Sequence, residues 1–140
     1  MKKVIPVLVS VLMVCMVFSS CSSVDPIVGQ WEYSGTESGV KVTMVYTFNE
    51  NETFDMKIVG EYTSGDLNGT ILPIMDTSTM EPKDTWNRDG DGEYIVHFTT
   101  GGDQKFRIED GKLLTVNDDG STVKNNDGSA AIFIKVNESK

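Results

Sequence analysis

The chain has 140 residues and a formal net charge of −9. That length suits one domain, which buries about two thirds of the surface its unfolded chain exposes. The acidic balance disfavours nucleic acid and anionic headgroups as partners, since both are held by clustered Lys and Arg; its plainest role is solubility.

The N-terminus reads as a processing segment. Lys2 and Lys3 precede an apolar run from Val4 to Phe18, interrupted only by Pro6 and Ser10. As a helix that run spans roughly 22 Å, short of a hydrocarbon core of about 30 Å. A secretory signal is therefore favoured over a spanning helix. Phe18-Ser19-Ser20-Cys21 resembles the lipobox of bacterial lipoproteins. The resemblance implies cleavage after residue 20 and acyl chains on Cys21 that hold the protein to a membrane. It also implies a lipid-anchored place in the bacterial envelope, at the outer membrane. The competing reading is an ordinary signal peptide with an incidental Cys21. Cys15 would leave with the signal, so no disulfide within one mature chain is expected. Residues 21–26 then form a short tether, and 27–140 a single domain.

Past the tether, Ile27, Gly29, Trp31 and Tyr33 alternate with Val28, Gln30 and Glu32, the period of a strand. Ser34 to Gly39 reads as a turn. Val40 to Phe48 is the clearest strand, with Val40, Val42, Met44, Tyr46 and Phe48 on one face. Asn49 to Glu52 turns the chain. Thr53 to Tyr62 returns with Phe54, Met56, Ile58 and Tyr62 inward, predicting an antiparallel hairpin. Thr70 to Met75 is a short strand that Pro73 assigns to an edge or a strand end. Asp76 to Asp84 reads as an excursion over the surface or across a barrel mouth, ending on a strand over Lys83 to Arg88.

Asp89-Gly90-Asp91-Gly92 is a hairpin signal, because Asp-Gly pairs accept positive φ. Glu93 to Thr99 follows, with Tyr94, Val96 and Phe98 on one face. Gln104 to Glu109 has Phe106 and Ile108 inward, and Asp110-Gly111 turns into Lys112 to Asn117. A weak strand is expected at Ser121 to Lys124. The last runs from Ala130 to Val136, with Ile132, Ile134 and Val136 on one face. No helical periodicity follows the signal. About eight to ten short strands joined by tight turns predict an all-β, up-and-down antiparallel barrel.

Gly29-Gln30-Trp31 resembles the Gly-x-Trp signature that opens the first strand of lipocalins. With Tyr46-Thr47-Phe48-Asn49, Glu52-Thr53-Phe54 and Phe106 to Leu113, it is similar to the lipocalin-like domains of bacterial lipoproteins. Trp31 is then expected as a plug at the closed end rather than a ligand wall. The inward set Met44, Tyr46, Phe54, Met56, Tyr62 and Tyr94 is the candidate lining for a small apolar or amphipathic ligand. An eight-stranded barrel is just wide enough either to fill with side chains or to hold one small molecule, and the bulk of these residues favours a mostly filled interior. A filled barrel would act as a structural or protein-interaction module instead.

Other chemistries find little support. Asn87 to Glu93 begins like a calcium loop, but Phe98 stands where a bidentate carboxylate is needed, so a hairpin is the better reading. His97 is the lone histidine, and zinc would want further N or S ligands. No nucleophile-and-base pair is apparent. No cofactor, metal or catalytic residue is therefore expected.

Overall fold

The computed structural model describes residues 23–137. Nine strands follow in chain order: β1 (Gly29–Glu37), β2 (Val40–Phe48), β3 (Thr53–Tyr62), β4 (Ile71–Asp76), β5 (Asp84–Gly90), β6 (Glu93–His97), β7 (Asp103–Glu109), β8 (Lys112–Val116) and β9 (Ile132–Lys135). All pairings are antiparallel, and β9 returns to β1. The result is a closed eight-stranded up-and-down barrel with β4 as a ninth strand, the class expected from the sequence.

Closure depends on how β4 and β5 share one edge of β3. Lys57 to Glu61 pair with β4, whereas Thr53 and Phe54 pair with β5. Between them Thr77 takes the place of a ladder residue. Met56 N donates to Thr77 Oγ1 at 2.8 Å, and Thr77 N donates to Met56 O at 2.9 Å. β4 and β5 thus form one stave interrupted by a loop at 78–83. Lys83 fastens the loop, donating to Asp55 Oδ1 at 2.8 Å and to Ser78 O at 2.5 Å. On the far side β6 ends at His97, level with Thr85. The other edge of β4 pairs with no strand among the described residues.

Three turns are built on one five-residue pattern: Asn49 to Thr53, Asn117 to Ser121 and Asn125 to Ser129. In each, the first residue's N–H donates to the fifth residue's carbonyl, at 2.9, 2.8 and 2.7 Å. The leading Asn Nδ2 donates to the closing hydroxyl, at 3.0, 3.0 and 3.1 Å. The third residue's oxygen accepts from the closing residue's N–H and hydroxyl. Position four has positive φ: Glu52 at 63°, Gly120 at 83° and Gly128 at 84°. The side chains replace ladder partners that a tight turn lacks.

The structure corrects three expectations. The first strand continues through Gly35 to Glu37, and the turn is only Ser38-Gly39, both at positive φ. Gly35 stays in the strand because the Tyr33 ring folds over it; a Cβ there would lie 2.5 Å from Tyr33 Oη. The strand expected at Ser121 to Lys124 is absent. Two turns flank it so closely that only single bridges form, Val116 with Thr122 and Lys124 with Ala130. On β9 the face carrying Ile132, Ile134 and Val136 points to solvent, and Phe133 is buried at 2% exposure. Phe133 stacks on Tyr46 at 4.5 Å between ring centroids, burying more apolar surface than the aliphatic face would.

The core occupies the end of the barrel where β1 begins. Trp31, Phe48, Phe54, Tyr94, Phe106 and Phe133 are each at most 2% exposed. Phe48 meets Phe54, Trp86 and Phe106 edge-on at 5.0, 5.9 and 5.7 Å. Residues 25–28 cross this end as a cover. Trp31 Nε1 donates to Ile27 O at 2.8 Å, and Tyr94 Oη donates to Asp25 Oδ1 at 2.7 Å. Lys135 Nζ donates to Pro26 O at 2.8 Å and lies 5.3 Å from the Trp31 ring centroid. Gly29 leaves room for that lysine, since a Cβ would sit 3.1 Å from Lys135 Cε.

Candidate functional site: a slot beside β1

The opposite end is open. β9 pairs only with Trp31 and Glu32 of β1. Beyond Glu32 the two diverge, because residues 117–131 are drawn outward by their two consecutive turns. A slot of about 870 Å³ lies between β1 and the 124–130 hairpin. Its β1 wall runs from Tyr33 to Ser38, and its floor holds Val42 and Met44. The far wall is Lys124 to Asp127, Ser129, Ala130 and Ile132. Asn126 Nδ2 donates to Glu37 Oε1 at 2.9 Å and bridges the top.

The lining is mixed. Val42, Met44 and the Tyr33 ring supply apolar surface. Glu37, Asp127 and Lys124 place two carboxylates and one ammonium on the walls. Hydrogen bonds from the Ser129 hydroxyl and N–H hold the Asp127 carboxyl below the ordinary aspartate range, so it is charged at neutral pH. The volume falls within the usual range for small-ligand sites.

The residues singled out in sequence divide among four places. Met44 lines the slot. Tyr46, Phe54 and Met56 pack into the core below it, where burial pushes the Tyr46 hydroxyl up from its ordinary pKa. Tyr62 stands half-buried at the end of β3, opposite Val40 and outside the slot lining. Tyr94 lies at the closed end, its phenol raised by burial and then by the Asp25 carboxylate. Gly29 and Trp31 sit there too. Cys21 lies outside the described residues. The sequence reading missed Ser34, Thr36 and the 124–127 wall. The signal available was the repeated Asn-x-Asp-Gly-Ser turn at 117–121 and 125–129, which leaves too little chain between for a paired strand.

Elsewhere, Asn87 to Glu93 forms the end of the β5–β6 hairpin, with Arg88 Nη2 3.1 Å from Asp91 Oδ1. His97 presents Nδ1 to Asp103 Oδ1 at 2.7 Å and Nε2 to Asn87 Oδ1 at 2.6 Å, an outward structural clasp. Among the described residues no group of three or more His, Cys, Asp or Glu side chains is arranged to hold a metal ion. A second feature is apolar: Leu67, Ile71, Leu72, Ile74, Met75 and Met80 are all exposed, four of them on β4.

No family model matches the chain, and no curated protein does. Among solved structures it is similar to a provisionally assigned lipoprotein from Shewanella oneidensis. The two share 17% identity over 84% of this chain and 95% of the other, with a TM-score of 0.47. A likeness at that level carries no argument about function.

Proposed function

We propose that the protein is a lipid-anchored, lipocalin-like binding module of the bacterial envelope, without catalytic activity, whose slot beside β1 takes a small amphipathic molecule. The observation that carries this reading is the division of the barrel. Aromatic side chains fill the end near residues 25–28, and the other end opens into a slot with apolar floor and polar walls. The anchor rests on Lys2-Lys3, the apolar run and Ser19-Ser20-Cys21. More than one acyl chain is needed for stable attachment. With the tether leaving from the closed end, the slot would face away from the membrane.

Two measurements test the reading. Cys21→Ser should move the protein from the membrane fraction to the soluble one; an unmodified Cys21 in membrane-bound protein would disprove the anchor. Laurate added to ¹³C-methyl-labelled protein should shift the Met44 and Val42 methyls saturably, and Met44→Arg should remove the response. Unmoved methyls with laurate, and with the peptide probe described below, would sink the binding reading.

A second reading has an observation of its own. The exposed apolar residues between Leu67 and Met80, four of them on a strand whose outer edge pairs with no strand among the described residues, suit a protein-interaction module. Charge substitution at Ile74, followed by recovery of partners from the native host, separates the two.

A further inference from the structure

We infer that the slot's ligand is an extended peptide segment of about four residues, bound as an added strand along β1 through the backbone of Ser34 and Thr36. This rests on the reading of the slot as a binding site and narrows it to a ligand class.

The argument begins with the direction of backbone groups. β1 pairs with β2 along its whole length, Gly29 to Glu37. On its other edge, Gln30 O accepts from Val136 N at 2.8 Å, and Glu32 pairs with Ile134. In an antiparallel strand alternate residues turn their N–H and C=O to the same side. The groups of Ser34 and Thr36 therefore face the slot, where β9 no longer pairs with β1. Their side chains point to the outer face, where Ser34 Oγ lies 3.0 Å from Thr43 Oγ1. At these positions β1 offers the slot two N–H donors and two C=O acceptors at ladder spacing.

The opposite wall offers no such ladder. The 122–131 hairpin uses its backbone internally, through the Lys124–Ala130 bridge and the bond from Asn125 N to Ser129 O. It contributes side chains instead. From Glu32 to Glu37 the open edge spans roughly 17 Å, the length of about four to five extended residues. A bound strand would point alternate side chains onto Val42, Met44 and Tyr33, and the others toward solvent. Two carboxylates against one ammonium favour a basic residue near Glu37 and Asp127.

The same geometry discriminates against a plain hydrocarbon. An acyl chain in the slot would strip water from the Ser34 and Thr36 amides without replacing those hydrogen bonds, which is costly. A peptide replaces them with its own ladder, the strand-addition mode of recognition. β4 also has an edge that pairs with no strand among the described residues, but a proline interrupts it and none of its residues lines the slot.

The test uses purified full-length ¹⁵N- and ¹³C-methyl-labelled protein. The probe is acetyl-Lys-Val-Thr-Val-amide, beside a version N-methylated at alternate amides. The unmodified peptide should shift the Ser34 and Thr36 amides and slow their hydrogen exchange by roughly tenfold or more, as ladder pairing protects amides from opening. The N-methylated peptide and the Ser34→Pro variant should bind at least about tenfold more weakly, one lost hydrogen bond being worth about that factor. If Ser34→Pro does not fold, the N-methylated peptide on the natural chain decides alone. Laurate shifting the Met44 methyl while the peptide leaves Ser34 and Thr36 unmoved overturns the peptide inference and leaves the binding reading standing. Silence from both probes overturns both. Protection of the same amides that grows with protein concentration, without peptide, assigns the slot to a second copy and overturns the inference.

Discussion

Single residues decide how the closed end holds together. Trp31 fills it, donates to Ile27 O and lies beneath the Lys135 ammonium. Trp31→Ala should cost about 3–5 kcal/mol, the range for deleting a buried aromatic side chain. Chemical denaturation checks this, and a midpoint equal to that of the natural chain would show that the ring contributes nothing there. Tyr94 adds a pH dependence. Its phenol is 1% exposed and donates to Asp25, and both burial and that carboxylate oppose its ionisation. Its folded pKa therefore lies above the unfolded value of about 10. A raised pKa contributes stability that is complete below the unfolded value and declines as pH climbs above it. Stability should begin to fall at about pH 10 and keep falling as pH rises toward the raised folded value, and Tyr94→Phe should flatten that decline. Tyr46, also raised, would leave a residual slope. Equal slopes in both proteins, from denaturation midpoints across this range, would refute the assignment to Tyr94.

Turns and edges carry the next level. The three Asn-led turns share hydrogen bonds and backbone path, yet Glu52 holds the left-handed position that glycine holds at 120 and 128. Glu52→Gly should stabilise the protein by about 0.5–1 kcal/mol, because a side chain at that φ is disfavoured. Gly128→Ala should destabilise it by a similar amount, and thermal melts of the pair should move in opposite directions. On β4 the backbone alternation gives Pro73 a purpose. Met56 turns its N–H and C=O toward this edge, so Ile58 and Gly60 do too, and their partners Met75 and Leu72 face back. Pro73, opposite Val59, faces outward, where its missing N–H blunts an edge that could otherwise recruit strands. Pro73→Val should raise concentration-dependent association in sedimentation, and a monomer at every concentration would contradict this. Element order and most inward faces were legible because strict alternation and Asp-Gly or Asn-led turns report local geometry. Gly35 misled because a glycine reads as a turn unless the ring lying over it is known. The inverted face of β9 misled for a related reason. Alternation identifies two faces, but the choice between Phe133 and its aliphatic neighbours depends on Tyr33 and Tyr46, which lie 100 and 87 positions earlier in the chain.

At the scale of the whole barrel, the question raised by the inward residues has a different answer at each end. Nearly every inward position of β2 and β3 carries a large side chain, Gly60 being the exception, which favours one filled interior. The sign that β9 leaves β1 after Glu32 is the pair of Asn-x-Asp-Gly-Ser turns at 117–121 and 125–129, in a segment that otherwise reads as a weak strand. Met56 and Met44 now stand for the two halves. Both pack against the aromatic core, but Met56 lies beside Tyr46 and away from the slot, while Met44 also lines the slot floor. In the packed half, Met56→Ala leaves a void with few ways to relax and should cost about 2–5 kcal/mol. In the open half, Met44→Ala enlarges space that solvent already enters, so its cost should stay below about 1 kcal/mol on the same cavity argument. Binding should respond the other way round. Met44→Ala should change affinity for whichever probe the slot accepts, because it removes part of the apolar floor. Met56→Ala should leave affinity close to that of the natural chain under conditions where the variant remains folded. Denaturation curves and probe titrations of both variants decide the matter together. Equal stability losses would mean that the slot closes in solution and the barrel is filled throughout. A small loss at both sites, with stoichiometric binding deep in the barrel, would mean that the interior itself is the pocket.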